Sequence, residues 1–206
     1  MLKSKLSDKI YFRNKILNWS FYMRIISGNM RGLRLKSPKG NDTRPTADRV
    51  KESLFNILGY IESNSIVLDL FSGSGNIGLE FLSRGAKKVY FIENDKNSVS
   101  ILKENIKKCR VEESTEVYRN DVIKSIEIFD KKRLKFDYIF LDPPYNKGLA
   151  EKTLERISNS NLLNDRSIII IEHEVELEFA DEYYGIEKID RRNYGSTAIT
   201  FFRKLE

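Results

Sequence analysis

The sequence predicts an α/β fold built on a mostly parallel, doubly wound sheet, and three observations predict it. From Ser65 onward, short apolar runs alternate with helical stretches, the pattern of strand–helix–strand units. A glycine-rich turn, Gly73-Ser74-Gly75, follows the first of those runs. The last two runs are joined by a connection short enough for an antiparallel hairpin. At 206 residues with 40% hydrophobic content, the chain can bury one sizeable core.

Residues 1–22 mix Lys and Arg with scattered aromatics and resemble neither a signal peptide nor a membrane span. Met23 is the expected native start, which makes 1–22 upstream sequence or a dispensable extension. Arg24-Ile25-Ile26 and Leu33-Arg34-Leu35 read as two short strands around a glycine-containing turn. Lys36 to Asp42 reads as a loop, and Thr43-Arg44-Pro45-Thr46 leads into a helix over Ala47–Leu58. On that helix Val50, Leu54, Ile57 and Leu58 form the apolar stripe, with Arg49 and Lys51 off it. Pro45 before the helix and Gly59 after it are ordinary helix punctuation. Ile66–Leu70, Lys88–Ile92, Thr115–Tyr118, Phe136–Leu141 and Ile168–Ile171 then read as strands, with helices over Ile77–Arg84, Asn97–Lys108, Val122–Phe129 and Gly148–Ser158. Tyr184–Asp190 and Ala198–Arg203 complete the pattern as a hairpin connected by Arg191–Ser196. The expected organisation is an extension (1–22), a basic hairpin and helix (23–60) and an α/β domain (61–206).

Charge is unevenly placed. The chain carries a net charge of +6, yet residues 1–60 hold 13 Lys and Arg against 4 Asp and Glu, whereas residues 61–206 hold 23 against 26. The basic surplus therefore lies in the N-terminal part and points to a polyanionic partner, nucleic acid ahead of membrane. No apolar run is long enough to span a membrane. A single cysteine, Cys109, excludes an internal disulfide and a cysteine zinc site, so a reducing cytoplasm is the default. His173 is the only histidine; no metal site and no Ser-His-Asp triad is expected.

Two motifs carry the chemistry. Asp69-Leu70-Phe71-Ser72-Gly73-Ser74-Gly75 ends the first strand and opens a helix, where glycines let the backbone turn tightly and approach a ligand. Gly73 to Gly78 also satisfies G-x-G-x-x-G, and Glu93, about 20 residues on, stands where a ribose-binding acid belongs. A nicotinamide oxidoreductase is thus one reading. Against it, Asp69 would repel a pyrophosphate, while it suits a ligand with an amine and a sulfonium. The second motif, Asp142-Pro143-Pro144-Tyr145, ends the strand Phe136–Leu141. The prolines stiffen the turn and restrict the residue before them, setting a carboxylate, a fixed carbonyl and an aromatic ring at the ligand-binding end of the sheet. The motif taken alone is equally a proline-terminated strand with a solvated Asp and a packing Tyr.

Taken together, Asp69 to Gly75, Glu93, Asn120-Asp121 and Asp142 to Tyr145 resemble the motifs of class I S-adenosylmethionine-dependent methyltransferases that act on exocyclic amines, a Rossmann-like fold. R-I-I-S-G, R-G-x-R-L and R-P-T-x-D-R-V-K-E-x-L-F-N, within residues 24–56, narrow the resemblance to the RsmD family, bacterial 16S ribosomal RNA guanine-N2 methyltransferases. The resemblance runs from about Met23 to the C-terminus. It implies that Phe71, Gly73, Ser74 and Gly75 contact the methionine part of S-adenosylmethionine, Asp69 its amino group, Glu93 its ribose, and Asn120 and Asp121 its adenine. Asp69 and Asp121 could equally serve as helix caps. Asp142 and the Pro143 carbonyl would hold the guanine amine, Pro144 would stiffen the turn, and Tyr145 would stack on the base. Arg24, Arg31, Arg34, Arg44, Thr46, Arg49 and Lys51 would contact RNA, either free 16S rRNA or the small ribosomal subunit particle. The alternatives are a DNA adenine or cytosine amino-methyltransferase and a catalytically silent RNA-binding assembly factor. Glu172 and His173 end the fifth strand near the expected base pocket and read as structural.

Overall fold

The structure, a computed structural model, describes residues 23–37, 48–145 and 148–205; the readings on residues 1–22, Arg44, Thr46 and Ala47 lie outside them. The alternation seen in the sequence yields β1 (Ile66–Leu70), β2 (Lys88–Glu93), β3 (Thr115–Arg119), β4 (Phe136–Leu141), β5 (Leu163–Glu174), β6 (Glu182–Tyr183), β7 (Ile186–Tyr194) and β8 (Thr197–Lys204). The helices are α1 (Asp48–Leu58), α2 (Asn76–Ser83), α3 (Lys96–Cys109), α4 (Val122–Lys131) and α5 (Leu149–Ser158). The strands form one eight-stranded sheet in the order β3-β2-β1-β4-β5-β8-β7-β6. The first five are parallel and the last three antiparallel. This is the predicted class: a mostly parallel sheet with a C-terminal antiparallel hairpin.

Parallel strands buried on both faces need side chains that pack above and below, and the two cores supply them. Val67, Val89, Phe91, Phe140 and Ile170 pack on one face with α2, α3 and the N-terminal block. Leu68, Leu70, Ile92, Ile139, Leu141 and Ile171 pack on the other with α4 and α5. Met23, Ile25, Leu35, Leu54 and Phe55 join the first core, so residues 23–35 and α1 share their apolar interior with the sheet.

Several elements differ from the reading, each for a physical reason. β5 begins at Leu163, five residues early, because Leu163 pairs with Phe136 and polar Asn164–Ser167 bulge across a register shift before Ile168 meets Tyr138. The hairpin turn is shorter than Arg191–Ser196: β7 continues to Tyr194, and Gly195 takes φ 69 to turn the chain. The two N-terminal strands reduce to an Arg24–Arg34 bridge, supported by Ile25 N–H to Leu33 O (3.0 Å) and Leu35 N–H to Met23 O (2.7 Å). β6 was absent from the reading.

Lys51 is the main correction. Placed off the apolar stripe as an RNA contact, it is instead 0% exposed on the buried face of α1 with Leu54 and Phe55, while Ile57 of the expected stripe is exposed. Its ammonium is satisfied inside the protein, 3.2 Å from Glu80 Oε2. Burial lowers its pKa from the ordinary lysine value, and Glu80 opposes that shift. A lysine so enclosed cannot reach a phosphate.

Candidate active site

β1, β2 and β4 lie side by side, so their carboxyl ends bring the two motifs together. After β1 the chain turns sharply. Phe71 takes φ 60, a left-handed conformation uncommon and strained for a non-glycine residue. Ser72 fastens the turn by donating its Oγ to Asp69 O (2.6 Å) and Ile92 O (3.0 Å). Gly75, at φ 82, must be glycine twice over, since a Cβ there would stand 2.4 Å from Leu102 Cδ1. α2 starts immediately afterwards, with Gly78 N–H donating to Asp69 Oδ2 at 2.9 Å. The capping alternative for Asp69 is therefore realised in this geometry.

At the end of β2, Glu93 accepts from Gly73 N–H at 2.8 Å and from Asp95 N–H at 2.8 Å, one bond to each carboxylate oxygen. It thereby ties the glycine turn to the next loop. Asp121 caps α4 by accepting from Lys124 N–H at 3.0 Å, and the Asn120 backbone N–H donates to Glu93 O at 3.2 Å. Phe71, Glu93, Asp121 and Pro144 line one cleft of about 620 Å³, within the usual range for a small-molecule site. Ile92, Asn94, Asp95, Lys96, Arg119, Val122, Ile123, Leu149 and Thr153 complete its walls. None of these was singled out from the sequence, although Ile92 and Asn94 directly flank Glu93 and Val122 directly follows Asp121.

A second hollow of about 170 Å³ adjoins the first, lined by Pro143, Pro144, Tyr145, Leu149, Glu151, His173 and Leu177 among others. Pro144 and Leu149 border both. Tyr145 is 39% exposed, with its hydroxyl 3.3 Å from Thr197 Oγ1. His173, which also lines this hollow, is held by two contacts: its Nε2 meets Thr200 Oγ1 and its Nδ1 meets Glu174 O, both at 2.7 Å. Burial lowers its pKa.

Electrostatics distinguish this end of the sheet. One residue beyond the Leu141–Ile171 pair, Asp142 leaves β4 alongside Glu172 of β5. Burial pushes the Asp142 carboxyl well above its ordinary value, and the Glu172 and Asp69 charges push the same way. Burial also lifts Asp69 to about 7, opposed by the Gly78 N–H and aided by Glu93. A ligand bearing positive charge beside these groups relieves that strain, so the residues present suit an amine- and sulfonium-bearing ligand. Glu172, expected near the base pocket as a structural residue, is thus also part of the site's charge, because the strand register sets it beside Asp142. Cys109 is buried and its thiol is raised to about 11 by burial, which leaves it unreactive.

Of the RNA-contact candidates that are described, Arg24, Arg31, Arg34 and Arg49 are exposed. Arg24 is held by Asp48 at 2.8 Å. Among the described residues no helix is long and apolar enough to cross a membrane.

Residues 23–203 match the family model described as conserved hypothetical protein 95. YlbH of Bacillus subtilis (strain 168) is 36% identical over 182 residues, 88% of this chain and 99% of that one. Ribosomal RNA small subunit methyltransferase D of Haemophilus influenzae is 40% identical over 156 residues, 74% of this chain and 79% of its own. Among solved structures, yhhF from Escherichia coli superposes with a TM-score of 0.78 at 28% identity, covering 90% of this chain and 99% of that one.

Proposed function

The chain belongs to the conserved hypothetical protein 95 family, and on that premise we propose that it transfers a methyl group from S-adenosylmethionine to the exocyclic N2 amine of a guanine in 16S ribosomal RNA. The observation that carries this reading is the meeting of two cavities at Pro144. One is large enough for a nucleoside-sized cofactor and carries Glu93 and Asp121. The other is flanked by the Asp142–Tyr145 turn. The 40% identical relative from Haemophilus influenzae, named for small-subunit ribosomal RNA methylation, supports RNA as the substrate class. The same reading puts the work in the bacterial cytoplasm.

S-adenosylmethionine, when bound, supplies an electrophilic methyl group on a sulfonium. Glu93 is suited to hold its ribose hydroxyls through charge-assisted hydrogen bonds, Asp121 and Asn120 to meet its adenine, and Asp69 with the Phe71–Gly75 turn to receive its methionine end. The guanine amine is a poor nucleophile because its lone pair is delocalised into the ring. Asp142 and the Pro143 carbonyl each accept one of its N–H bonds, and the two prolines keep those acceptors in place. The lone pair then faces the methyl, and transfer relies on positioning more than on a strong base. Asp142 would receive the proton that the amine sheds on accepting the methyl group that S-adenosylmethionine would supply. Tyr145 stacks on the base, which leaves its own stack to reach the site. Arg31, Arg34 and Arg49, with Arg44, are the candidates for phosphate contacts.

Mass spectrometry of 16S rRNA from a deletion strain tests this. One N2-methylguanine should disappear and return on complementation with the intact chain but not with Asp142→Ala. An unchanged 16S methylation pattern refutes the reading.

A further inference from the structure

Lys51 has lost its role as an RNA contact, and its surroundings suggest another. Its Nζ donates to Arg24 O at 2.5 Å and to Asn76 Oδ1 at 2.8 Å, beside Glu80 Oε2. Asn76 is the first residue of α2, immediately after Gly75 of the glycine turn. Glu80, one helical turn on, accepts from Ile26 N–H (2.8 Å), Ser27 N–H (3.0 Å) and Arg84 Nε (2.9 Å). The other side of the turn is held as well. Asn105 of α3 donates its Nδ2 to Ser74 O (2.9 Å) and Lys36 O (3.0 Å), and its Oδ1 accepts from Lys36 N–H (2.8 Å). The two residues that flank Gly75 are therefore both braced from behind, and the N-terminal block takes part in each brace.

A buried ion pair is weak grounds for stability, because apolar side chains of similar volume often serve as well or better. What such a pair supplies is direction. The ammonium fixes where Asn76 and the start of α2 stand relative to Arg24 and the block around it. Lys51 does not line the cleft, nor do Gly73 to Asn76, whereas Phe71 and Glu93, which accepts from Gly73 N–H, do, so any influence of Lys51 on the cofactor passes through Asn76 and the turn.

We propose that Lys51 is a positioning residue for the cofactor: through Asn76 and Glu80 it holds the Gly73–Asn76 turn in the form that receives S-adenosylmethionine. This rests on the reading above that the turn belongs to the cofactor. The test uses the full chain, the double variant Lys51→Met/Glu80→Gln, which removes both charges of the buried pair and keeps an amide oxygen as acceptor for Arg84 Nε, and the single variant Asn76→Ala, which removes only the acceptor on the turn. S-adenosylhomocysteine affinity is read by calorimetry, and KM for S-adenosylmethionine and for RNA by methyl transfer. Both variants should bind S-adenosylhomocysteine about tenfold more weakly, with KM for S-adenosylmethionine raised to match and KM for RNA within about twofold of the parent, since misplaced contacts act on the ligand they position. A purely structural role would lower the melting temperature and leave the affinity of the folded protein alone. Parental S-adenosylhomocysteine affinity in either folded variant overturns the proposal, as does a parallel rise in both KM values. If the double variant does not fold, Asn76→Ala decides by the same criteria. Failure of the parent chain itself to bind S-adenosylhomocysteine would sink the assignment of the turn instead.

Discussion

Replacing Gly78 with alanine should push α2 off the sheet and weaken cofactor binding with it. A Cβ at Gly78 would stand 2.3 Å from Phe91 Cε1, 2.7 Å from Phe91 Cζ and 2.8 Å from Val89 Cγ1. Carbon atoms pack at about 3.5–4.0 Å, so the helix must withdraw by roughly 1 Å. Phe91 and Val89 are both fully buried and have nowhere to swing. Overpacking of this kind costs about 1–3 kcal/mol, and the better helix propensity of alanine returns about 1 kcal/mol. The net loss is about 0–2 kcal/mol, a drop in Tm of up to roughly 8 °C for a chain of this size. The withdrawal also strains the 2.9 Å bond from Gly78 N–H to Asp69 and carries the glycine turn with it, which should weaken S-adenosylhomocysteine binding about tenfold. Urea denaturation and calorimetry on the same preparation read both effects. A variant as stable as the parent, with unchanged affinity, would show that the third glycine does not set the helix–sheet separation.

Three other outcomes are expected. Asp142→Ala should abolish methyl transfer while calorimetry still detects S-adenosylhomocysteine binding; loss of both would remove the carboxylate from the amine-holding role. Asp69 has a folded-state pKa of about 7 against about 3.9 unfolded, so the folded state holds its proton longer. Its stability penalty is absent below about pH 4, grows as pH rises to about 7 and is constant above. Asp69→Asn, which keeps an acceptor for Gly78 N–H, should therefore gain stability over the parent across that window, and urea midpoints that differ by the same amount at every pH would contradict this. Tyr145→Ala should weaken RNA binding by the loss of one stacking contact, about 1–3 kcal/mol, whereas Tyr145→Phe should stay close to the parent. Equal KM values for RNA in the two variants would mean that the ring is not used.

The parallel strands were legible because burial on both faces demands apolar runs, as in Phe136–Leu141, and the helices between them because they alternate with those runs. Polar Asn164–Ser167 hid the first part of β5, since a strand's reach past its apolar run depends on what the neighbouring strand offers. Lys51 was misread because a stripe counted in apolar residues has no place for a charge, yet it sits three residues before Leu54 and four before Phe55 on the same face. Its burial depends on Glu80, 29 positions away, which helical spacing cannot reveal. The G-x-G-x-x-G match admitted an oxidoreductase reading, but its third glycine answers to the Phe91 ring, a demand of close helix–sheet packing. Asp142 stood out because its motif is contiguous, and Glu93 because it ends the strand after the glycine turn. Glu172 could be placed near the pocket by its strand end, but its charge beside Asp142 follows only from the β4–β5 register.

The stitching of the N-terminal block has a consequence for the order in which the molecule can assemble. Ile26 and Ser27 find their carboxylate 54 and 53 residues downstream in Glu80, and Lys36 finds Asn105 69 residues downstream. During synthesis the block is made first, but these anchors to the rest of the fold do not exist until α2 and α3 have been translated. Closing loops of that span is slow compared with local helix and turn formation. A segment that is early in the message therefore docks late in folding, after the glycine turn it comes to brace.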